Sequence, residues 1–563
     1  MKKAIPAIIA IVLILIIGVV FGGSILREKF AYSTDKVDLN DYFDLTQDNQ
    51  VAVVLQEERA PFYAIRIDGC CYFDADTVKN YFNEKFYFDE SENQIIYVEP
   101  LQITRTHIGE SGYNTDGNSI ATDYIPARYV GETLYIACDY VRLFTNYEYT
   151  YYDDPSRMQV YTKWESRNIA HIAKDTQIRY RGGIKSPILK EVSKGDKVQI
   201  LDEMEEWSGV KTDDGFIGYV ENKRLEEYDT EEPIPDTHYT EPEFVQQSLG
   251  TKVNLAWHNV ASAAGNDTFW SLIENTHGIN VISPTWFGLS DNEGGISDFG
   301  SASYVQTAHD MGMQVWGLVS NFVNTDIDTY AVLANTGSRT TLINNLMEVA
   351  AAYGLDGINV DFENLSVQTG APFVEFIREL SVECRKAGVI LSVDNYVPIG
   401  NTDYYNRGQQ GIYADYVIIM GYDEHYAGSE ETGSVASIGY VTKGIEKTME
   451  EVPAERIING VPFYTRIWEN DAGSVSSQAV GMQTANQYIS DHGIDLKWDE
   501  ETCQNYGEYT SGDVLHQVWL EDAESIEVKL NVMDAHGIAG VASWCLGFET
   551  PDIWDVIEKY LNK

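Results

Sequence analysis

A strand-then-helix alternation, repeated through the C-terminal half of the chain, limits the fold more than any other feature. From about Thr251 onward the apolar runs Val253–Trp257, Ile279–Ser283, Gln314–Val319, Gly357–Phe362, Ile390–Val393, Tyr416–Met420, Ile457–Val461 and Gly540–Trp544 each predict a buried strand. Helical patterns fall between them. In the fourth, Phe373, Phe376, Ile377, Leu380 and Cys384 keep the spacing of one helix face, and Gly388 stands where a helix stops. Buried parallel strands need long crossovers, and helices supply them. The expected class is therefore α/β, with a closed (β/α)8 TIM barrel over residues 249–563. A doubly wound open sheet is the alternative, and it is weakened because no G-x-G-x-x-G follows the first strand.

The chemically informative segment is Leu355-Asp356-Gly357-Ile358-Asn359-Val360-Asp361-Phe362-Glu363. Side chains alternate along a strand, so Asn359, Asp361 and Glu363 share a face opposite to Ile358, Val360 and Phe362. Polar groups facing a barrel interior are costly unless satisfied or functional. Glu363 falls at the C-terminal end of its strand, where such barrels place their active sites. Asp361 beside it disfavours a second negative charge and raises the affinity of the pair for one proton. A Glu held protonated near neutral pH can donate to a leaving oxygen. A satisfied polar ladder or a carboxylate metal site remains open at this level.

The block resembles the fourth-strand motif D-x-x-D-x-D-x-E of glycoside hydrolase family 18, the chitinase-like enzymes. Asp356, Asp361 and Glu363 match, and Asn359 replaces the second Asp. Met420-Gly421-Tyr422-Asp423 resembles the family's M-x-Y-D at the end of strand six, Gly460-Val461-Pro462-Phe463-Tyr464 its seventh-strand segment, and Trp544 its eighth-strand Trp. Ser283-Pro284-Thr285-Trp286-Phe287, Trp498-Asp499-Glu500 and Trp519-Leu520-Glu521-Asp522 look like the branch from spore-forming bacteria that cleaves cell-wall or cortex peptidoglycan.

The resemblance implies a retaining, substrate-assisted β-1,4-N-acetylglucosaminidase with Glu363, Asp361 and Tyr422 as catalytic residues. It implies substrate contacts from Asn359, Asp356, Met420, Asp423, Trp544, Trp257, Trp286 and Tyr464, and no metal or cofactor. The expected partner is an N-acetylated polysaccharide, peptidoglycan or chitin. A chitinase and a non-catalytic lectin of the same fold are the alternatives. Lectins of the family typically lose the acid, and Glu363 is retained here.

Upstream, Tyr72, Val78, Tyr81, Phe86, Phe88 and Ile95 align at constant spacing with Tyr135, Val141, Phe144, Tyr149, Tyr151 and Met158. Each copy predicts a strand, a short helix and two strands, and residues 36–163 resemble the small repeated N-terminal domain of copper amine oxidases, without a His cluster. Residues 168–228 predict short strands around the turns Lys194-Gly195-Asp196 and Asp213-Asp214-Gly215, and resemble a bacterial Src-homology-3-like barrel. Residues 229–248, rich in Glu, Asp, Thr and Pro, are expected to form a linker. Cys70 and Cys71 cannot easily bond each other, and either is a candidate partner for Cys138.

At the start, Lys2 and Lys3 precede an uncharged run from Ala4 to Leu26, which Arg27 ends. At about 1.5 Å per residue it is long enough for the roughly 30 Å hydrocarbon core. The expectation is an uncleaved transmembrane anchor within residues 1–30, giving a single-pass cell-membrane protein with its catalytic domain extracytoplasmic. A cleaved signal peptide is the alternative, with Gly22-Gly23-Ser24 a weak cleavage site. The formal charge of −48, with 87 acidic against 39 basic residues, argues against nucleic acid as a partner, because phosphate binding needs clustered Lys and Arg.

Overall fold

Eight parallel strands close on themselves in the C-terminal part of the computed structural model. They are β1 (Val253–His258), β2 (Val281–Pro284), β3 (Gln314–Ser320), β4 (Gly357–Asp361), β5 (Ile390–Tyr396), β6 (Tyr416–Met420), β7 (Ile457–Pro462) and β8 (Gly540–Trp544). Each pairs with the next, β2 reaches β3 through Val281 and Gln314, and β8 returns to β1 through Val253 and Gly540. The strands are rich in Val and Ile and buried on both faces, as a parallel sheet covered by helices requires. Trp316 and Tyr416 stack at 5.5 Å between ring centroids and fill the N-terminal end of the barrel.

Helices follow the strands. The one after β4, Gly370–Ala387, buries Phe373, Phe376, Ile377, Leu380 and Cys384. It ends at Gly388, whose φ of 70° lets its N–H turn back to the carbonyls of Cys384 and Arg385. An insertion not anticipated from the sequence lies between β7 and the helix Ala523–His536. It is a five-stranded antiparallel sheet, ordered Ser474–Gly481, Tyr464–Asp471, Val514–Leu520, Gln504–Ser511, Lys497–Asp499, with the helix Met482–His492. Glu521 at its end is fully buried and satisfied by Lys529 at 2.9 Å, Gln504 and Ser525.

The structure describes residues 9–16, 28–237 and 239–563. They fall into two compact units, Met1–Phe86 with Thr106–Asn114 and Ser119–Glu241, and Tyr87–Arg105 with Thr115–Asn118 and Pro242–Lys563. The hairpin Tyr87–Asp89/Gln94–Glu99, placed by the sequence reading in the N-terminal repeat, thus belongs with the barrel. Its turn binds the start of the helix Thr336–Tyr353. Asp89 accepts from the Thr336 N–H at 3.0 Å, Glu92 from the Gly337 N–H at 2.7 Å, and Ser91 Oγ from the Asn335 amide at 3.1 Å. Free N–H groups and the helix dipole favour carboxylates there. Arg105 and the buried Arg339 both meet the buried Glu379, each at 2.6 Å.

In the first unit a seven-stranded sheet runs Glu148–Tyr152, Arg157–Tyr161, Gln50–Leu55, Glu58–Ile67, Cys70–Asp74, Thr133–Ala137, Ala127–Val130. A second runs Ile188–Val192, Thr176–Arg179, Ile217–Glu221, Trp207–Thr212, Lys197–Glu203, Arg167–Ile172, Leu225–Glu231. All six cysteines are free thiols, so the pairing considered for Cys138 does not form.

The expected transmembrane anchor is not supported by the structure. Among the described residues no helix is long and apolar enough to cross a membrane. Of the run Ala4–Leu26 only residues 9–16 are described, as a helical stretch. The rest of that run lies outside the described residues.

Candidate active site

The side chains that alternate inward on β4 meet those of β5, β6 and β8 in a cavity at the C-terminal end of the barrel. Its walls include Trp257, Asp361, Glu363, Met420, Tyr422, Asp423, Tyr464 and Trp544, all expected from the sequence, and also Phe322, Asp394 and Tyr396, which were not.

Glu363 lies just past the end of β4 and is held on both sides of its backbone. The Asn321 amide accepts from the Glu363 N–H at 2.8 Å and donates to the Glu363 carbonyl at 2.9 Å. Asn364, next along, takes φ 52°, so the chain turns away directly after the acid. The Glu363 carboxylate accepts from the Tyr396 hydroxyl at 2.6 Å. Burial raises the Glu363 pKa, the Tyr396 hydrogen bond opposes that rise, and the Asp423 charge adds to it.

Asp361 is buried, and its Oδ1 has no hydrogen-bond partner among the described residues. Burial first, then the charges of Asp394 and Glu363, push its pKa well up. Asp394 is likewise buried and pushed up by desolvation, against a hydrogen bond from Asn359, with the Glu363 charge adding to the rise. Asn359 does not line the cavity. It lies beneath, accepting from the Trp257 indole at 2.9 Å and the Ser283 hydroxyl at 3.1 Å while donating to Asp394 at 2.8 Å. A further buried carboxylate, Asp394, thus comes from the neighbouring strand, and the amide at 359 donates to it.

Trp257 meets Trp544 at 6.0 Å and Tyr422 edge-on at 6.5 Å, forming an aromatic floor. Trp544 is only partly buried, which leaves part of it open to the cavity. Asp423 takes φ 60° and accepts from the Tyr464 hydroxyl at 2.6 Å, so the insertion that begins at Tyr464 fixes the residue ending the β6 motif.

Besides Asn359, two further expected substrate contacts lie outside the cavity. Asp356 sits at the opposite, N-terminal end of β4, bonded to His309 at 2.7 Å and to the Val315 N–H at 2.8 Å. Trp286 is fully buried, its indole donating to Asn266 at 2.7 Å. Neither reaches the cavity, and each is accounted for by packing and internal hydrogen bonds.

The profile of Glycosyl hydrolases family 18 matches residues 216–549. The chain belongs to this family. A family 18 enzyme hydrolyses glycosidic bonds, and a Bacterial SH3 domain profile matches residues 175–226 ahead of it. A relative from Bacillus subtilis (strain 168) named as a sporulation-specific glycosylase, YdhD, is 31% identical over 251 residues, covering 43% of this chain and 58% of its own length. The cortical fragment-lytic enzyme of Bacillus subtilis (strain 168) is 28% identical over 230 residues, 39% of this chain and 53% of its own. The chain therefore spans little more than half the length of these relatives. The C-terminal domain of a protein designated a chitinase, from Desulfitobacterium hafniense DCB-2, shares the fold at 20% identity and a TM-score of 0.50, covering 55% of this chain and 99% of that domain. The family 18 match covers the barrel and the cavity residues.

Proposed function

We propose that this enzyme is a retaining, substrate-assisted β-1,4-N-acetylglucosaminidase that cuts peptidoglycan glycan strands, with Glu363 as its acid. The observation that carries the reading is the carboxylate arrangement. Glu363, with a raised pKa, stands in the open cavity, while the buried Asp361 beside it presents an oxygen with no hydrogen-bond partner among the described residues. Glu363 protonates the glycosidic oxygen as the C–O bond breaks. The substrate's own acetamido oxygen attacks the anomeric carbon, replacing an enzyme nucleophile. Asp361 Oδ1 accepts the acetamido N–H and counters the positive charge that develops on the oxazolinium ring. The Tyr422 hydroxyl donates to the acetamido oxygen, and Trp544 stacks on the apolar face of the sugar. Glu363, now ionised, takes a proton from water as the ring opens, which restores both the configuration and the acid.

Relatives named for sporulation and for cortical fragment lysis favour peptidoglycan over chitin. The Bacterial SH3 domain fits a wall-bound substrate. The test is digestion of purified peptidoglycan and of chitin oligomers by the full chain, with mass spectrometry of the products and Glu363→Gln alongside. Peptidoglycan fragments ending in reducing N-acetylglucosamine, absent with the variant, are expected. Retained sugar binding with no cleavage of either polymer by the wild type would overturn the reading.

A further inference from the structure

The segments after β3 and β4 expose apolar side chains: Phe322 is 46%, Val323 59%, Tyr330 39% and Val367 66% exposed. Isolated apolar residues on a surface need no explanation, but four in the segments that follow two adjacent barrel strands, one of them at the cavity, do. Phe322 already lines that cavity. Tyr330 lines a second pocket, together with Gln368 from the β4 loop and with Tyr87, Phe88 and Ser91 from the hairpin welded to the barrel.

A hydrogen bond links sequence neighbours of residues that line the two cavities. The Asn321 amide that donates to the Glu363 carbonyl lies 3.1 Å from Thr329 Oγ1, and Tyr330 is the next residue. Gln368 follows Glu363 by only a few positions on the same loop. The far wall is fixed, because buried Asp89 anchors the hairpin to the Thr336 N–H, with Ser91 and Glu92 bonding on either side. The site is therefore pre-formed, with aromatic faces from two elements and an amide and a hydroxyl at its edge. That combination suits a pyranose ring, whose apolar face stacks on an aromatic while its hydroxyls seek polar partners. Tyr330 and Gln368 are exposed, and no described contact requires either for folding.

We propose that this pocket is a distal binding site for the same glycan strand, holding sugar units well away from the bond being cut, and that the hairpin exists on the barrel to complete it. The inference rests on the glycan-cleaving reading above. It predicts that the enzyme distinguishes long strands from short ones through residues remote from Glu363.

The test compares the wild-type full chain with Tyr330→Ala/Gln368→Ala on two substrates, an N-acetylglucosamine polymer and an aryl di-N-acetylchitobioside too short to reach the pocket. Loss of one stacked ring should lower kcat/KM on the polymer about tenfold, mainly through KM, with a several-fold smaller loss on the short substrate. Equal losses on both, or none on the polymer, would overturn the proposal. Should the wild type cut neither substrate, the glycosidase reading fails by itself, and co-sedimentation with the insoluble polymer decides the pocket. A lower bound fraction for the double variant supports it, and unchanged retention sinks it.

Discussion

Replacing Tyr396 by Phe deletes one hydroxyl from the site and leaves the ring in place. That hydroxyl donates to Glu363 at 2.6 Å and holds the carboxylate's pKa below where burial alone would put it. A hydrogen bond to a charged group contributes about 1.5–3 kcal/mol. Glu363 is only partly buried, so water takes up some of that loss and the lower end applies. At about 1.4 kcal/mol for each tenfold change in ionisation, the Glu363 pKa should rise by about one pH unit. The sign follows from its role. An acid must be protonated to act, so kcat/KM falls as pH rises through its pKa in the free enzyme. The Tyr396→Phe variant should therefore keep activity to higher pH, its alkaline limb displaced upward by about one unit. The assay is the pH profile of kcat/KM on an aryl di-N-acetylchitobioside. An alkaline limb that stays put or moves down would refute both the assignment of Glu363 as the acid and the account of its tuning.

Other perturbations have equally definite outcomes. Asp394→Asn removes a buried carboxylate whose pKa is raised in the folded chain, a group whose burden is absent below the unfolded pKa and grows as pH rises. Thermal melting should show the variant stabilised near neutral pH, the gain shrinking as pH falls toward about 4, even as activity drops. Glu379→Ala leaves Arg339 charged and unpaired in the interior and should cost about 3–5 kcal/mol in denaturant melts. Trp544→Ala should lower kcat/KM at least about tenfold even on the short substrate, because it removes a cavity-lining ring that the proposed mechanism stacks on the sugar.

Much of the barrel was legible because its signal is local. Each apolar run that predicts a strand has an observed counterpart, Tyr416–Met420 and Gly540–Trp544 with identical bounds, since a strand buried on both faces has to be continuously apolar. The alternation that placed Asp361 and Glu363 together on β4 applies equally to β5, where Ser392, Asp394 and Tyr396 share a face. Followed there, it would have found two of the three missed cavity residues. Phe322 and Asn321 lie beyond the strand end, where periodicity says nothing. Asp356 comes from the motif resemblance, although it precedes the strand that Glu363 overhangs and so sits at the opposite end of that strand. The insertion after β7 escaped because its hairpins interrupt the strand-then-helix rhythm. The docking of Tyr87–Asp89 on the barrel depends on distant partners such as Thr336, which no local pattern reveals.

The Asn321 clamp bears on how an enzyme can be both stiff and open at its reacting group. A side-chain amide has the shape and polarity of a peptide group, so Asn321 acts as one further rung on the β3–β4 ladder after the backbone pairing has stopped at Ser320 and Asp361. Glu363 is braced as firmly as a residue in mid-sheet while the main chain is already free to peel away. Only a side chain offering both a donor and an acceptor can serve, which makes position 321 intolerant of Asp or Leu although it touches none of the reacting atoms.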